Sequence, residues 1–138
     1  MEWTRGQYRI TDNRNEADID FIVESLHSTY WAEERPREVI ETSIANSVMI
    51  LMFDGTKPIG FARIVADNCT FAWICDVFVH PDYRGRRLGV WLMECTQAHP
   101  TCKVRINMLA TRDAHTLYEK FGYVRQEAMV KRNPHIVD

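Results

Sequence analysis

Three apolar runs of strand length succeed one another between residues 48 and 79, with only tight turns between them. They cover residues 48–53, 59–66 and 71–79. Asp54-Gly55-Thr56-Lys57 is a hairpin signal, because aspartate and glycine accept the left-handed backbone that short turns require, and Asp67-Asn68 supplies the second turn. Strands joined so closely pair antiparallel, since a parallel return needs a crossover of a dozen or more residues. The chain is therefore committed to a sheet with an antiparallel middle, and its remaining residues must cover that sheet's faces.

The flanking sequence supplies the cover. Tyr8-Arg9-Ile10-Thr11 alternates as a first strand. Ile19, Ile22, Val23, Leu26 and Tyr30 recur at helical spacing. Pro36 is placed to open a second short helix carrying Val39, Ile40 and Ile44. On the far side, Val90, Trp91, Met93, Glu94 and Gln97 mark a helix that ends before Pro100. Residues 103–109 alternate basic and apolar as a half-covered strand would. Ala114, Leu117, Tyr118 and Phe121 mark a last helix with Gly122 after its end, and residues 123–131 read as a final strand. The predicted order is β-α-α-β-β-β-α-β-α-β. It describes an α/β (α+β) chain in three layers, with a mixed central sheet and helices on both faces.

Composition narrows the function classes. A length of 138 residues fits one domain, and 46% hydrophobic with 26% charged residues excludes a disordered chain. The net charge of −2 argues against a nucleic-acid or anionic-membrane binder. No apolar run approaches the roughly 20 residues that span a bilayer. The opening Met1-Glu2-Trp3-Thr4-Arg5 lacks the apolar stretch of a secretion signal, so a cytoplasmic location is expected. The four cysteines form no C-x-x-C pair and the histidines do not stand at zinc-finger spacing. Reduced, buried thiols and no metal are expected.

The chemistry concentrates between Val77 and Trp91. A strand ends at Val79, and a loop with Arg84, Gly85, Arg86, Arg87 and Gly89 runs directly into a helix. A helix N-terminus presents unpaired N–H groups and the positive end of its dipole. Glycine lets an anion approach the backbone, and guanidinium forks match phosphate oxygens. The pattern suits a diphosphate, although it is neither a P-loop nor G-x-G-x-x-G. Taken alone, it also suits a solvated basic turn.

Asp76 to Gly89 resembles motif A of the GCN5-related N-acetyltransferases, in which (Gln/Arg)-x-x-Gly-x-(Gly/Ala) links a central strand to a helix. Arg84 and Gly89 match its ends, and Arg87 replaces the middle glycine. Ala114-His115-Thr116-Leu117-Tyr118-Glu119-Lys120-Phe121-Gly122-Tyr123 resembles the family's A-x-x-L-Y-x-K-x-G-(F/Y) segment, with Thr111 where an asparagine often stands. The resemblance implies splayed central strands and acetyl-CoA as the acyl donor. It places pantetheine along the backbone of Phe78 and Val79, and an oxyanion donor at Val77 or Phe78. The diphosphate falls on Arg84, Gly85, Arg86, Arg87, Leu88, Gly89 and Val90. Thr111 and Tyr118 complete the cofactor side, and Tyr118 is the proton donor to the leaving thiolate. It further implies homodimers as common for the fold.

Three readings remain open on the acceptor side. Asp76, inside an apolar strand, is costly unless paired. It is a general base, a holder of the acceptor ammonium, or a structural partner for an arginine such as Arg63. Tyr30, Trp31 and Glu34, between the first two helices, suit a cationic amine through ring faces and charge, or else form an ordinary turn. The function expected is N-acetyl transfer to a primary amine of a small molecule by direct attack in a ternary complex. The alternative is a module that holds acyl-CoA without turnover.

Overall fold

The computed structural model describes residues 1–136. Its strands are β1 (Glu2–Arg5), β2 (Tyr8–Thr11), β3 (Val48–Asp54), β4 (Lys57–Ala66), β5 (Phe71–Val79) and β6 (Ile106–Met108). Its helices are α1 (Ile19–His27), α2 (Arg37–Ala45), α3 (Leu88–Ala98) and α4 (His115–Glu119). The strands lie side by side in chain order. Every neighbouring pair is antiparallel except β5 and β6, which are parallel because α3 crosses over between them.

The periodicity explains most elements. In α1 the Asp18 side chain accepts from the Phe21 N–H, and Ile22, Val23 and Leu26 are buried in one stripe. That stripe, with Ile40 and Ile44 of α2, packs on Met49, Leu51, Phe53, Phe61 and Phe78. The opposite face carries Ile50, Met52, Ile59, Ala62, Ile64, Ala72 and Ile74 under Leu88, Trp91, Leu92 and Met93 of α3. Tyr118 and Phe121 pack against this second cluster.

Four expectations need correcting. The first strand of the chain is β1, which turns at positive-φ Gly6 to pair with β2; its four residues bury little and leave no alternating signal. Pro36 is the extended N-cap of α2 rather than its first helical residue. Only residues 106–108 of the basic-apolar stretch form a strand, because only Ile106, Asn107 and Met108 find partners on β5. Residues 123–131 form no strand; Val124, Met129 and Val130 are largely exposed.

β5 hides a further irregularity. Phe61 pairs with Phe78 but Arg63 pairs with Cys75, so β5 holds one extra residue. The bulge falls at Asp76, which takes φ +50°, a left-handed conformation that aspartate tolerates better than most residues. The extra residue reverses which face successive side chains occupy. Ala72 and Ile74 point toward α3, whereas Phe78 points toward α1 and α2.

The thiols divide by burial. Cys95 and Cys102 are buried and Cys69 is exposed. Burial pushes the Cys95 thiol up to about 11, with Glu94 adding to the rise, and burial also raises Cys102. A disulfide reagent at mildly alkaline pH is expected to titrate Cys69 at once and to reach Cys95 and Cys102 only on denaturation. Prompt labelling of Cys95 in the native protein would contradict this placement.

Candidate active site

The site is assembled where β5 and β6 part. Their pairing stops at Trp73 opposite Met108, while β5 runs on to Val79. Past that point β5 has no strand partner on the β6 side, and among the described residues no backbone bond from Val77, Phe78 or Val79 crosses to it. The far side of β5 is held rigidly. The His80 N–H donates to the Ile59 carbonyl at 2.7 Å, and Gly60 approaches so closely that a Cβ there would lie 2.7 Å from the Phe78 oxygen.

α3 begins beside the end of β5. The position a Gly89 Cβ would take is 3.9 Å from Val79 Cγ2, and nothing else stands within 4 Å. The helix has no side-chain cap, and its first backbone bond runs from the Trp91 N–H to the Arg87 carbonyl. The amides of Leu88, Gly89 and Val90 therefore lack intrahelical acceptors, and the dipole adds positive potential at the same place. The turn into the helix uses two left-handed residues, Gly85 at φ +81° and Arg87 at φ +60°. Arg87 bears the strain that the replaced glycine would have avoided.

The three arginines do not act alike. Arg84 Nε donates to the Val79 carbonyl at 2.9 Å, so it ties the loop to the end of β5. Arg86 donates to the Tyr8 hydroxyl and stacks over Tyr83, so it leans on β2. Arg87 is exposed at the helix start. Thr111 accepts from the Ala114 N–H at 3.0 Å and so supports the start of α4.

Tyr118 is half-buried on α4, its ring set edge-on to Tyr123 at 6.1 Å. Burial raises its phenol above the ordinary value, with Asp113 and Tyr30 adding to the rise, so it keeps its proton at neutral pH. The influence of Tyr30 links this phenol to the segment between α1 and α2. There, Tyr30 lies under the Arg112 guanidinium at 3.6 Å and edge-on to Trp31 at 5.1 Å. Glu34, later in the same segment, is exposed.

Asp76 sits beneath this aromatic pair. Its Oδ1 accepts from Trp31 Nε1 at 3.0 Å; its Oδ2 accepts from Arg35 Nη1 at 2.9 Å and Arg63 Nε at 2.8 Å. The Asp76 carboxylate is 3% exposed and the Arg35 side chain 7%. Three donors on two oxygens satisfy the carboxylate and pair it with both arginines. Sequence reasoning missed Arg35 and Arg112. The isolated aspartate was the available signal for Arg35, since a buried carboxylate demands cations. Nothing local marks Arg112.

Comparisons with known proteins identify the family and the fold. Residues 45–125, more than half the chain, match the family model of the acetyltransferase (GNAT) domain. The chain belongs to the GNAT family. It is 31% identical to the uncharacterized N-acetyltransferase ycf52 of Pyropia yezoensis over 88% of this chain and 73% of that protein. It superposes on a GNAT-family crystal structure from Xanthomonas campestris pv. campestris with a TM-score of 0.87 and 32% identity, covering 92% and 94% of the two chains. Glucosamine-6-phosphate N-acetyltransferase from Arabidopsis thaliana shares the fold at a TM-score of 0.67 and 18% identity, covering 92% and 98%. This GNAT chain is an acyltransferase with a mixed six-stranded sheet. Among its described residues no helix is long and apolar enough to cross a membrane.

Proposed function

We propose that this GNAT protein transfers an acetyl group from acetyl-CoA to a primary amine of a small molecule, by direct attack in a ternary complex. The observation that carries the reading is one juxtaposition. The end of β5 that lacks a β6 partner meets an uncapped α3 N-terminus, and the helical start has room beside Gly89. Such a juncture suits an extended chain ending in a diphosphate. The amides of Leu88, Gly89 and Val90 bind the phosphate oxygens, and the β5 edge at Phe78 and Val79 pairs with the amide-bearing arm. Acetyl-CoA supplies an acyl group already activated as a thioester.

The protein's own groups do the remainder. A backbone N–H at Val77 or Phe78 stabilises the developing oxyanion. Tyr118 holds the proton that the leaving sulfur needs. Cys95 and Cys102 stay protonated by burial, which favours direct attack over an acyl-thiol intermediate. Tyr30, Trp31 and Glu34 receive the acceptor, and Asp76 fixes Trp31 from below. We place the reaction in the cytoplasm.

The test is a panel of primary amines with acetyl-CoA, scored by thiol release. Release with at least one amine is expected. Binding without release from any amine would leave a holding module, and calorimetry without heat would remove the juncture as a binding site. Gly89→Asp is the sharpest single variant. The site has room for the side chain, so the melting temperature should hold. A carboxylate among the amides should weaken coenzyme A binding at least tenfold. Unchanged affinity by calorimetry would place the diphosphate elsewhere.

A further inference from the structure

The acceptor side carries a cation with no acidic partner. Arg112, in the loop after β6, lies with its guanidinium carbon 3.6 Å from the centre of the Tyr30 ring. At that contact distance the guanidinium uses its π face, and stacking of this kind leaves its N–H donors free. Among the described residues no hydrogen bond and no ion pair ties it. The other arginines around the site are engaged. Arg35 and Arg63 share the Asp76 carboxylate, and Arg84 donates to the Val79 carbonyl. Glu33 and Glu34 are exposed in the segment that holds Tyr30, yet neither pairs with Arg112.

The guanidinium is supported from both directions. Asp76 Oδ1 accepts from Trp31 Nε1 at 3.0 Å, Trp31 stands edge-on to Tyr30 at 5.1 Å, and Tyr30 carries Arg112. Along the chain, Thr111 Oγ1 accepts from the Ala114 N–H at 3.0 Å and closes the turn in which Arg112 lies. A fork fixed in this way has little freedom left to lose on binding, which favours a charge-assisted contact. It also stands near the reacting groups, since the Tyr30 that it covers is close enough to Tyr118 to help raise that phenol.

The stack limits what the acceptor can be. A ring face attracts an ammonium, but a guanidinium already occupies one face of Tyr30. A simple cation arriving there meets a like charge a few ångströms away. An acceptor that also bears an oxyanion meets a planar fork matched to carboxylate or phosphate. We infer that Arg112 is a specificity residue that binds an anionic group, a carboxylate or a phosphate, on the acceptor, so that the small amine is an amino acid or an amino phosphate rather than a simple cation. The amine rests on the transfer reading above, and the anion on the Arg112–Tyr30 stack. With the anion in the fork, the amine stays free to face the thioester.

Calorimetry on the protein loaded with coenzyme A reads the anion without turnover. Amino acids are set against their amides, and phosphoethanolamine against ethanolamine; each pair keeps the amine and differs in the anion. In at least one pair the anionic member should bind at least tenfold more tightly. Which pair responds tells carboxylate from phosphate. Arg112→Gln should bring that pair to within twofold of each other, with melting temperature and coenzyme A affinity unchanged, because the side chain is exposed. Arg112→Lys keeps the charge without the fork and should retain part of the preference. Neutral members binding as well as anionic ones, no binding by any anionic member, or a preference untouched by Arg112→Gln would each overturn the inference. Thiol release on the same panel scores the transfer reading separately. A preference for anions in binding, without release from any amine, would keep the anion site and remove the transfer. Release from neutral amines alone would keep the transfer and remove the anion site.

Discussion

Tyr118→Phe is expected to lower turnover by about 10²-fold or more while leaving coenzyme A affinity within a factor of two or so. The ring remains, so packing against the α3-side cluster and the edge contact with Tyr123 survive. Only the hydroxyl goes. That hydroxyl is held protonated by burial, with Asp113 and Tyr30 reinforcing it. A proton donor must still carry its proton at the working pH and lose it only to a strong base, and a leaving thiolate is such a base. Steady-state rates with the best amine from the panel, alongside calorimetry with coenzyme A, separate the two effects. A variant with unimpaired turnover would reduce Tyr118 to a core tyrosine.

The second large effect falls on stability. Asp76→Ala leaves Arg35 and Arg63 without their shared carboxylate, and Trp31 Nε1 without its acceptor. Removing the carboxylate from a buried ion pair costs on the order of 3–5 kcal/mol, comparable with the whole stability of a marginal domain. A melting temperature lower by roughly ten degrees or more is expected. Asp76→Asn keeps an acceptor for the indole but loses the charge, and should fall between. The pair also distinguishes scaffold from general base. As a scaffold, Asp76→Asn measured well below its melting point keeps most of its turnover. If it melts like the parent but has lost turnover a hundredfold, the carboxylate is removing a proton instead.

The Asp76 prediction depends on how a bulge is read. Residues 71–79 look like an uninterrupted apolar strand, and Asp76 looks like an intrusion into it. In the folded chain the extra residue turns Asp76 toward Arg35 and Arg63 and sends Phe78 to the opposite face from Ile74. It does so near the point where pairing with β6 ends. The odd residue in the pattern was therefore informative, but only the pairing register shows what it does.

Local rules carried the remainder unevenly. The hairpin turn at Asp54 to Lys57, the apolar stripe of α1, and the glycine-arginine loop before α3 depend on neighbours a few residues apart, so the amino-acid order determined them. The family assignment also rested on such short spacings. Other features depend on residues far apart in the chain. Arg35 meets Asp76 across 41 residues, and Arg86 meets Tyr8 across 78. Arg112 settles over the ring of Tyr30, far away in the chain. Residues 123–131 have the composition of a strand, yet composition does not say which edge they join. Strand character belongs to the segment, whereas a partner belongs to the assembled sheet, and only packing in three dimensions decides it.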